Sequence, residues 1–150
     1  MVAVPTISKI FKYNREFSYP PNNTTNAAWG NLFPKDGGFF THPPAVSERS
    51  TFSVFHQLHC LDAIRHGYWQ LHDAATEGRK ISDGEFPMHT SPSHIRHCTD
   101  LLRQSLMCAA DRTIEVKDDQ GGVSGFGTLH QCADYDDLLD TVGKWQHAVR

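Results

Sequence analysis

The sequence lacks an apolar run of about 18 or more residues, so no segment is predicted to cross a membrane as a helix. It also lacks a run of lysine and arginine that could grip a phosphate backbone, and its formal net charge of −3 argues against a nucleic-acid partner. The first residues, MVAVPTISKIFKYN, become polar too early for a signal peptide. Membrane-spanning and nucleic-acid-binding classes are therefore not expected.

Several common catalytic and structural motifs are also missing. No Ser-His-Asp arrangement can be assembled from the sequence. The stretch GGVSGFG has the glycine content of a phosphate-binding loop, but no lysine follows it and no strand-loop-helix pattern surrounds it. The histidine and cysteine spacings do not match a zinc finger.

Histidine, in contrast, is frequent, with ten residues in 150. Four of these residues lie in two copies of one phrase, HQLHCLDAIR at 56–65 and HIRHCTDLLR at 94–103, which share the pattern H-x-x-H-C-x-D-x-x-R. On a helix, residues three and four positions apart share a face, so each copy presents two imidazoles and a thiol together. The six residues are His56, His59, Cys60, His94, His97 and Cys98.

Hydrophobic periodicity predicts that both copies are helical. Apolar residues recur at three- and four-residue steps over 50–75, which is typical of a buried helical stripe. A second helix is predicted to begin at Ser91 as N-cap, with Pro92 at its first position, and to end near Ala110. A third is predicted from Tyr135 to His147. The stripe of the first helix comprises Val54, Leu58, Leu61, Tyr68 and Leu71.

The chain is predicted to be one small, mainly α domain in two parts. Residues 1–49 are rich in proline, asparagine and glycine, with many aromatic rings, and read as a long irregular arm packed on the body. Residues 50–150 form the helical body, in which the two H-x-x-H-C helices face each other. RTIEV is expected to be a short extended piece, and DDQGGVSGFG a loop.

Two facing helices of this kind would bring four imidazoles together, and paired histidines on facing helices are one way in which bundle cores bind metal. Imidazole suits copper and zinc, and divalent copper leads the affinity order. The predicted metal ligands are His56, His59, His94 and His97. The spacing of Asp62 with Arg65 and of Asp100 with Arg103 suits ion pairs, and these residues could also orient a ligand. His130 is a further site candidate, and its alternative is a loop histidine.

The four cysteines allow two interpretations. Cys60 and Cys98 could ligate metal as thiolates, or all four could form two disulfides. We favour disulfides, because a free thiolate beside redox-active copper would be oxidised. Pairing Cys60 with Cys98 and Cys108 with Cys132 is one of three connectivities. The even count, and two overlapping N-x-T sequons in PPNNTTN, are compatible with an oxidising compartment.

Four segments in this order resemble the UstYa-like family of fungal secondary-metabolism proteins, over roughly 27–139. They are AAWGNLFPKDGGFF, FHQLHCLDAIR, HIRHCTDLLRQSLMCAADRTIE and FGTLHQCADYDDLL, and they include the paired H-x-x-H-C motif that marks the family. The resemblance implies oxidative tailoring of peptides and other natural products by cyclisation, hydroxylation, dehydrogenation or halogenation, with copper in at least some members. It also implies a luminal domain behind an N-terminal membrane anchor, and this chain lacks the anchor.

The function expected from these features is that of a copper-dependent oxidase acting on a peptide or related natural product, with zinc the less suitable metal. The alternatives are a metal-independent cyclase that uses the histidines as acid and base, and a non-catalytic accessory subunit of a related oxidase. A homodimer and a heterodimer with a related protein are both open. The expected location is the secretory-pathway lumen or the exterior if an anchor or signal was removed, and otherwise the cytoplasm.

Overall fold

The structure is a computed structural model that describes residues 3–44, 46–109, 111, 113–114 and 126–148, with the backbone alone at 46–48, 99–100, 103, 107 and 147–148. Three helices account for most of the body, which confirms the mainly α class. In chain order the elements are β1 Thr6–Ile10, α1 Arg15–Ser18, α2 Asn23–Gly30, β2 Phe39–His42, β3 Val46–Thr51, α3 Ser53–Thr76, α4 Pro92–Cys108, β4 Leu129–Ala133 and α5 Tyr135–Ala148. Short 3-10 turns occupy Lys35–Gly38, Asp83–Glu85 and Met88–Thr90.

The helix starts follow the expected capping chemistry. The Ser91 side chain accepts a hydrogen bond from the His94 amide, and Pro92 lies in the first turn of α4. The Asp134 carboxylate likewise accepts a bond from the Asp137 amide at the start of α5. Each cap satisfies a helix-end amide that has no partner within the helix.

The N-terminal segment has more regular structure than the irregular arm expected from its composition. β1 pairs antiparallel with β4, so that Thr6 lies opposite Ala133, and β2 pairs antiparallel with β3. These pairings supply backbone partners that composition does not reveal. Most of RTIEV and DDQGGVSGFG lies outside the described residues.

Two clusters of buried side chains form the core. Phe40, Phe55 and Val142 make the first, between β2, α3 and α5. The second lies between α3 and α4 and consists of Cys60, Ala63 and Cys98. These small side chains let the two motif helices approach closely, as a nearby glycine also does: a Cβ added at Gly67 would lie 3.4 Å from Ile95 Cδ1.

The prediction that the aliphatic stripe of α3 is buried was wrong at three positions. Leu61 is 46% exposed, Tyr68 59% and Leu71 49%. The physical reason is that α4 packs on the opposite face, where Ala63 leaves room for a neighbouring helix. The stripe instead faces the N-terminal arm and solvent.

A buried guanidinium fastens the arm to α3. Arg65 is 8% exposed, and its Nη1 donates to the Tyr19 carbonyl at 3.2 Å while its Nη2 donates to Asn26 Oδ1 at 2.9 Å. Its Nε donates to Asp62 Oδ1 at 2.8 Å, which balances its charge. The arm therefore packs against the body through a charged residue whose donors are used on both sides. No helix in the described part of the chain has the length and apolar character that a membrane span requires.

Candidate metal centre between the two motif helices

Three donors from the two motifs lie together where α3 meets α4. The ligand atoms of His56, Cys60 and His97 all lie within 4.8 Å of one another. His56 and Cys60 are four residues apart on α3, so they share one face of that helix, and His97 reaches them from α4. Both imidazoles are exposed and the thiol is buried, so the group opens to solvent with sulfur at its base.

Neighbouring imidazoles favour the neutral form of His56. Burial lowers the pKa of His56 below its ordinary value of 6.5, and His97, His59 and His94 lower it further. A neutral imidazole keeps the lone pair with which histidine binds metal. The ring centroids of His56 and His97 are 5.7 Å apart.

The Cys60 thiol lies between this group and a second thiol. Burial, followed by the hydrogen bond with Cys98, raises the pKa of Cys60 to about 12. A metal at the site would therefore have to displace the thiol proton in order to gain a thiolate ligand. All four cysteines are free thiols in this structure, so the two disulfides stay a prediction. Cys60 and Cys98 are in hydrogen-bond contact, whereas Cys108 is exposed and Cys132 half-buried.

His59 and His94 are not among the three converging donors. The His59 ring stacks on Phe33 at a centroid distance of 4.0 Å, and its Nε2 lies 3.2 Å from the Gly37 carbonyl oxygen. His94 flanks the group, with its ring centroid 5.9 Å from that of His97. Of the four imidazoles expected to act together, the structure thus gathers two and adds the Cys60 sulfur.

Comparison with known proteins assigns the chain to a family. The family described as mycotoxin biosynthesis protein UstYa matches residues 40–149. The chain belongs to the UstYa family.

Curated members of the UstYa family show how far the similarity extends. The chain is 36% identical over 148 residues to UstYa family oxidase phomYb of Diaporthe leptostromiformis, covering 88% of this chain and 55% of that protein. It is 37% identical over 101 residues to oxidase ustYa of Aspergillus flavus, covering 65% and 40%. It is 36% identical over 87 residues to hydroxylase cctR of Talaromyces islandicus, covering 58% and 30%. The chain thus spans at most 55% of the length of these three relatives. No solved structure matches significantly.

The charged residues of the motifs in this UstYa-family chain can be placed in part. Asp62 and Arg65 form the ion pair that their spacing predicts. Their other contacts go to the arm and to His66, whose Nε2 lies 3.8 Å from Asp62 Oδ2. Whether they orient a metal ligand stays a prediction. The side chains of Asp100 and Arg103 lie outside the described residues.

His130 lies in a buried pair of its own. It is 3% exposed, and its Nδ1 donates to Asp111 Oδ2 at 2.7 Å. Its ring stacks on Phe11 at a centroid distance of 3.8 Å. Its Nε2 is buried and has no hydrogen-bond partner among the described residues. The partnership with Asp111 spans 19 residues and carries no sequence signal, so the spacing of motifs could not have revealed it.

Acid unfolding is expected to depend on Asp111. Bonds from the Thr113 hydroxyl, His130 and the Thr113 amide lower the pKa of Asp111 from 3.8 to about 2. In the range between these values the folded state binds fewer protons than the unfolded state, so the stabilisation present above the ordinary pKa is lost as pH falls through the folded pKa. We expect Asp111→Asn to be less stable than the parent near neutral pH, and the difference to shrink toward about pH 2.

Urea unfolding at several pH values measures this effect. Asp83→Asn is the matched control, because Asp83 is exposed and receives no side-chain hydrogen bond among the described residues. A stability difference for Asp111→Asn that stays constant across the acid range would contradict the assignment.

Proposed function

We propose that this chain forms the catalytic body of an oxidative tailoring enzyme of secondary metabolism, with copper held by His56, Cys60 and His97. The observation that carries the proposal is the convergence of these three donors within 4.8 Å from two copies of one motif. Support also comes from relatives that are named oxidase, hydroxylase and chlorinase. We take the substrate to be a peptide or a related natural product.

The donor set fits the metal. Two imidazoles and one thiol suit copper, and they also suit zinc, which has no redox chemistry. Bound copper would supply the one-electron couple that oxidation by O2 requires. The neutral state of His56 favours binding, whereas Cys60 must first lose a proton.

The flanking histidines are suited to moving protons. A carbonyl oxygen only accepts hydrogen bonds, so the His59 Nε2 that faces Gly37 carries the hydrogen, and Nδ1 keeps the lone pair. The stack on Phe33 holds the ring in this orientation. His59 affects the pKa of His56, which places it within electrostatic reach of the centre. We therefore assign His59 Nδ1 as a proton acceptor beside the site and His94 as the corresponding group on α4.

The proposal is tested by supplying the copper-loaded chain with candidate peptides in air and measuring their mass. The expected result is gain of an oxygen atom or loss of two hydrogen atoms, abolished by a copper chelator or by removal of O2. Because zinc has the same ligands but no redox couple, zinc loading is the matched control and should give no product.

Two other outcomes would contradict the proposal. Turnover that survives both the chelator and the exclusion of O2 would indicate acid–base cyclisation by the histidines alone. Turnover that appears only when the chain is mixed with a related protein, and that persists when His56 and His97 are replaced, would indicate an accessory subunit.

A further inference from the structure

An apolar groove runs between the N-terminal arm and α3. Its volume is about 720 Å³, within the range of pockets that bind small molecules. One wall comes from the stripe on α3 that was expected to be buried, and the other comes from rings of the arm. The principal lining residues are Tyr13, Phe17, Trp29, Leu61, Ile64 and Tyr68.

The aromatic wall of the groove is fixed in place. The Trp29 Nε1 donates to the Phe17 carbonyl at 3.2 Å, and the two rings meet edge to face at 5.8 Å. The Tyr13 hydroxyl bonds the Ser18 hydroxyl at 2.7 Å. Because these polar atoms already have partners within the protein, the groove offers an entering molecule mainly apolar contact.

The opposite wall leaves apolar surface in water. Leu61 is 46% exposed and Tyr68 59% exposed, although both lie on one stripe of α3 beside the groove. Covering such side chains with an apolar group is favourable in proportion to the area removed from water. The groove is therefore suited to aromatic and branched aliphatic groups.

The groove adjoins the candidate metal centre at two places. Leu58 and Leu32 line it, and the residues that follow them, His59 and Phe33, form the stack beside the centre. Ile64 also lines the groove, and it packs against the cluster that contains the Cys60 thiol. A molecule in the groove would thus lie along α3 with one end next to the imidazoles.

We propose that this groove is a substrate-binding subsite, and that it takes the aromatic and branched aliphatic side chains of an apolar peptide. This inference rests on the proposed oxidase function for the identity of the ligand as substrate. Leu61 and Tyr68 are then specificity residues that select apolar substrates, and the arm is the part of the protein that completes the subsite. Neither residue is among the metal donors.

Binding can be tested without turnover. The probe is a fluorescein-labelled tetrapeptide amide, acetylated and composed of phenylalanine, valine, tyrosine and isoleucine. Its polar counterpart carries the same dye on serine, threonine, glutamine and asparagine. We expect fluorescence anisotropy to show binding of the apolar probe alone, and Leu61→Glu to weaken it by about tenfold or more, since a buried charge is placed on the groove wall. Leu106→Glu is the matched control, because Leu106 is a 74% exposed leucine of α4 that does not line the groove.

The proposal fails if neither probe binds, if Leu61→Glu binds the apolar probe as the parent does, or if Leu106→Glu weakens binding as much. It also fails if sedimentation shows a dimer that Leu61→Glu dissociates, because a second copy would then occupy the groove. Circular dichroism on each variant checks that Leu61→Glu retains its helices, and Tyr68→Ser provides a second test if it does not. Groove binding that persists in His56→Ala, in the absence of any oxidation by the parent, would refute the oxidase function while leaving the apolar subsite intact.

Discussion

Copper retention is expected to be lost when either His56 or His97 is replaced by alanine. Each residue supplies one of three donors that lie within 4.8 Å, so either replacement leaves only two ligands. Loss of an outer-shell partner already weakens metal binding by up to about 100-fold, and loss of a ligand should exceed this. The measurement is elemental analysis of each purified variant after copper loading and desalting, with a competition titration for affinity.

His72→Ala is the matched control for this experiment. His72 is an exposed imidazole on the same helix, and it contacts Asp73, Trp69 and Tyr68 rather than the motif residues. Because His56 and His97 are themselves exposed, their replacement should leave the helix content unchanged. Full copper retention in both His56→Ala and His97→Ala would exclude this site.

His59 and His94 separate the motif-based expectation from the structural one. If all four imidazoles bind copper equally, as the spacing predicts, each alanine variant should lose copper to the same extent. The structure predicts a graded result, because His59 is held by Phe33 and Gly37 and only the other motif histidine of α3 joins the three donors. Smaller losses for His59→Ala and His94→Ala would therefore favour the arrangement seen here.

Gly38→Ala is expected to lower the free energy of unfolding by about 3 to 5 kcal/mol, from backbone strain and overpacking together. Gly38 has φ of +81°, and an added Cβ would lie 2.6 Å from Cδ2 of Phe55 and 2.8 Å from its Cγ. Phe55 is fully buried between β2 and α5, so its ring has little room to move. Chemical unfolding of the parent and the variant measures the difference.

Two other glycines divide this effect into its parts. Gly78 has φ of +65° with open space at the Cβ position, so Gly78→Ala should show the cost of strain alone, about 1 kcal/mol. Gly84→Ala has neither strain nor a contact and should be nearly neutral. Equal losses for Gly38→Ala and Gly78→Ala would show that the contact with Phe55 contributes nothing. Since Phe55 precedes His56 in α3, Gly38→Ala should also weaken copper binding.

The helices of this protein are readable from its sequence because their signals are local. Ser91 and Pro92 mark the start of α4 through chemistry within one turn, and the paired motif places its imidazoles on one face through spacing alone. The side of α3 that α4 covers depends on a different quantity. Leu61 is the more hydrophobic residue, yet Ala63 faces α4, because close approach of two helices requires small side chains.

The centre itself was only partly predictable, because its selection among histidines depends on contacts distant in sequence. Phe33 and Gly37, which hold His59, lie more than twenty residues before it. Composition gives no reason to connect these residues. The inclusion of the Cys60 thiol similarly follows from the packing of α3 on α4, which no single motif encodes.

The pairing of β1 with β4 has a consequence for the order in which the protein is assembled. The strands join Thr6 to Ala133, so this ladder must wait until nearly the whole chain has been synthesised, whereas α3 and α4 are neighbours in sequence and can dock earlier. Long-range pairing of this kind forms slowly, because a large loop must close first. Tyr13 and Phe126 flank the ladder and touch edge to face across the groove. The nascent chain therefore completes its motif helices first and encloses the groove last.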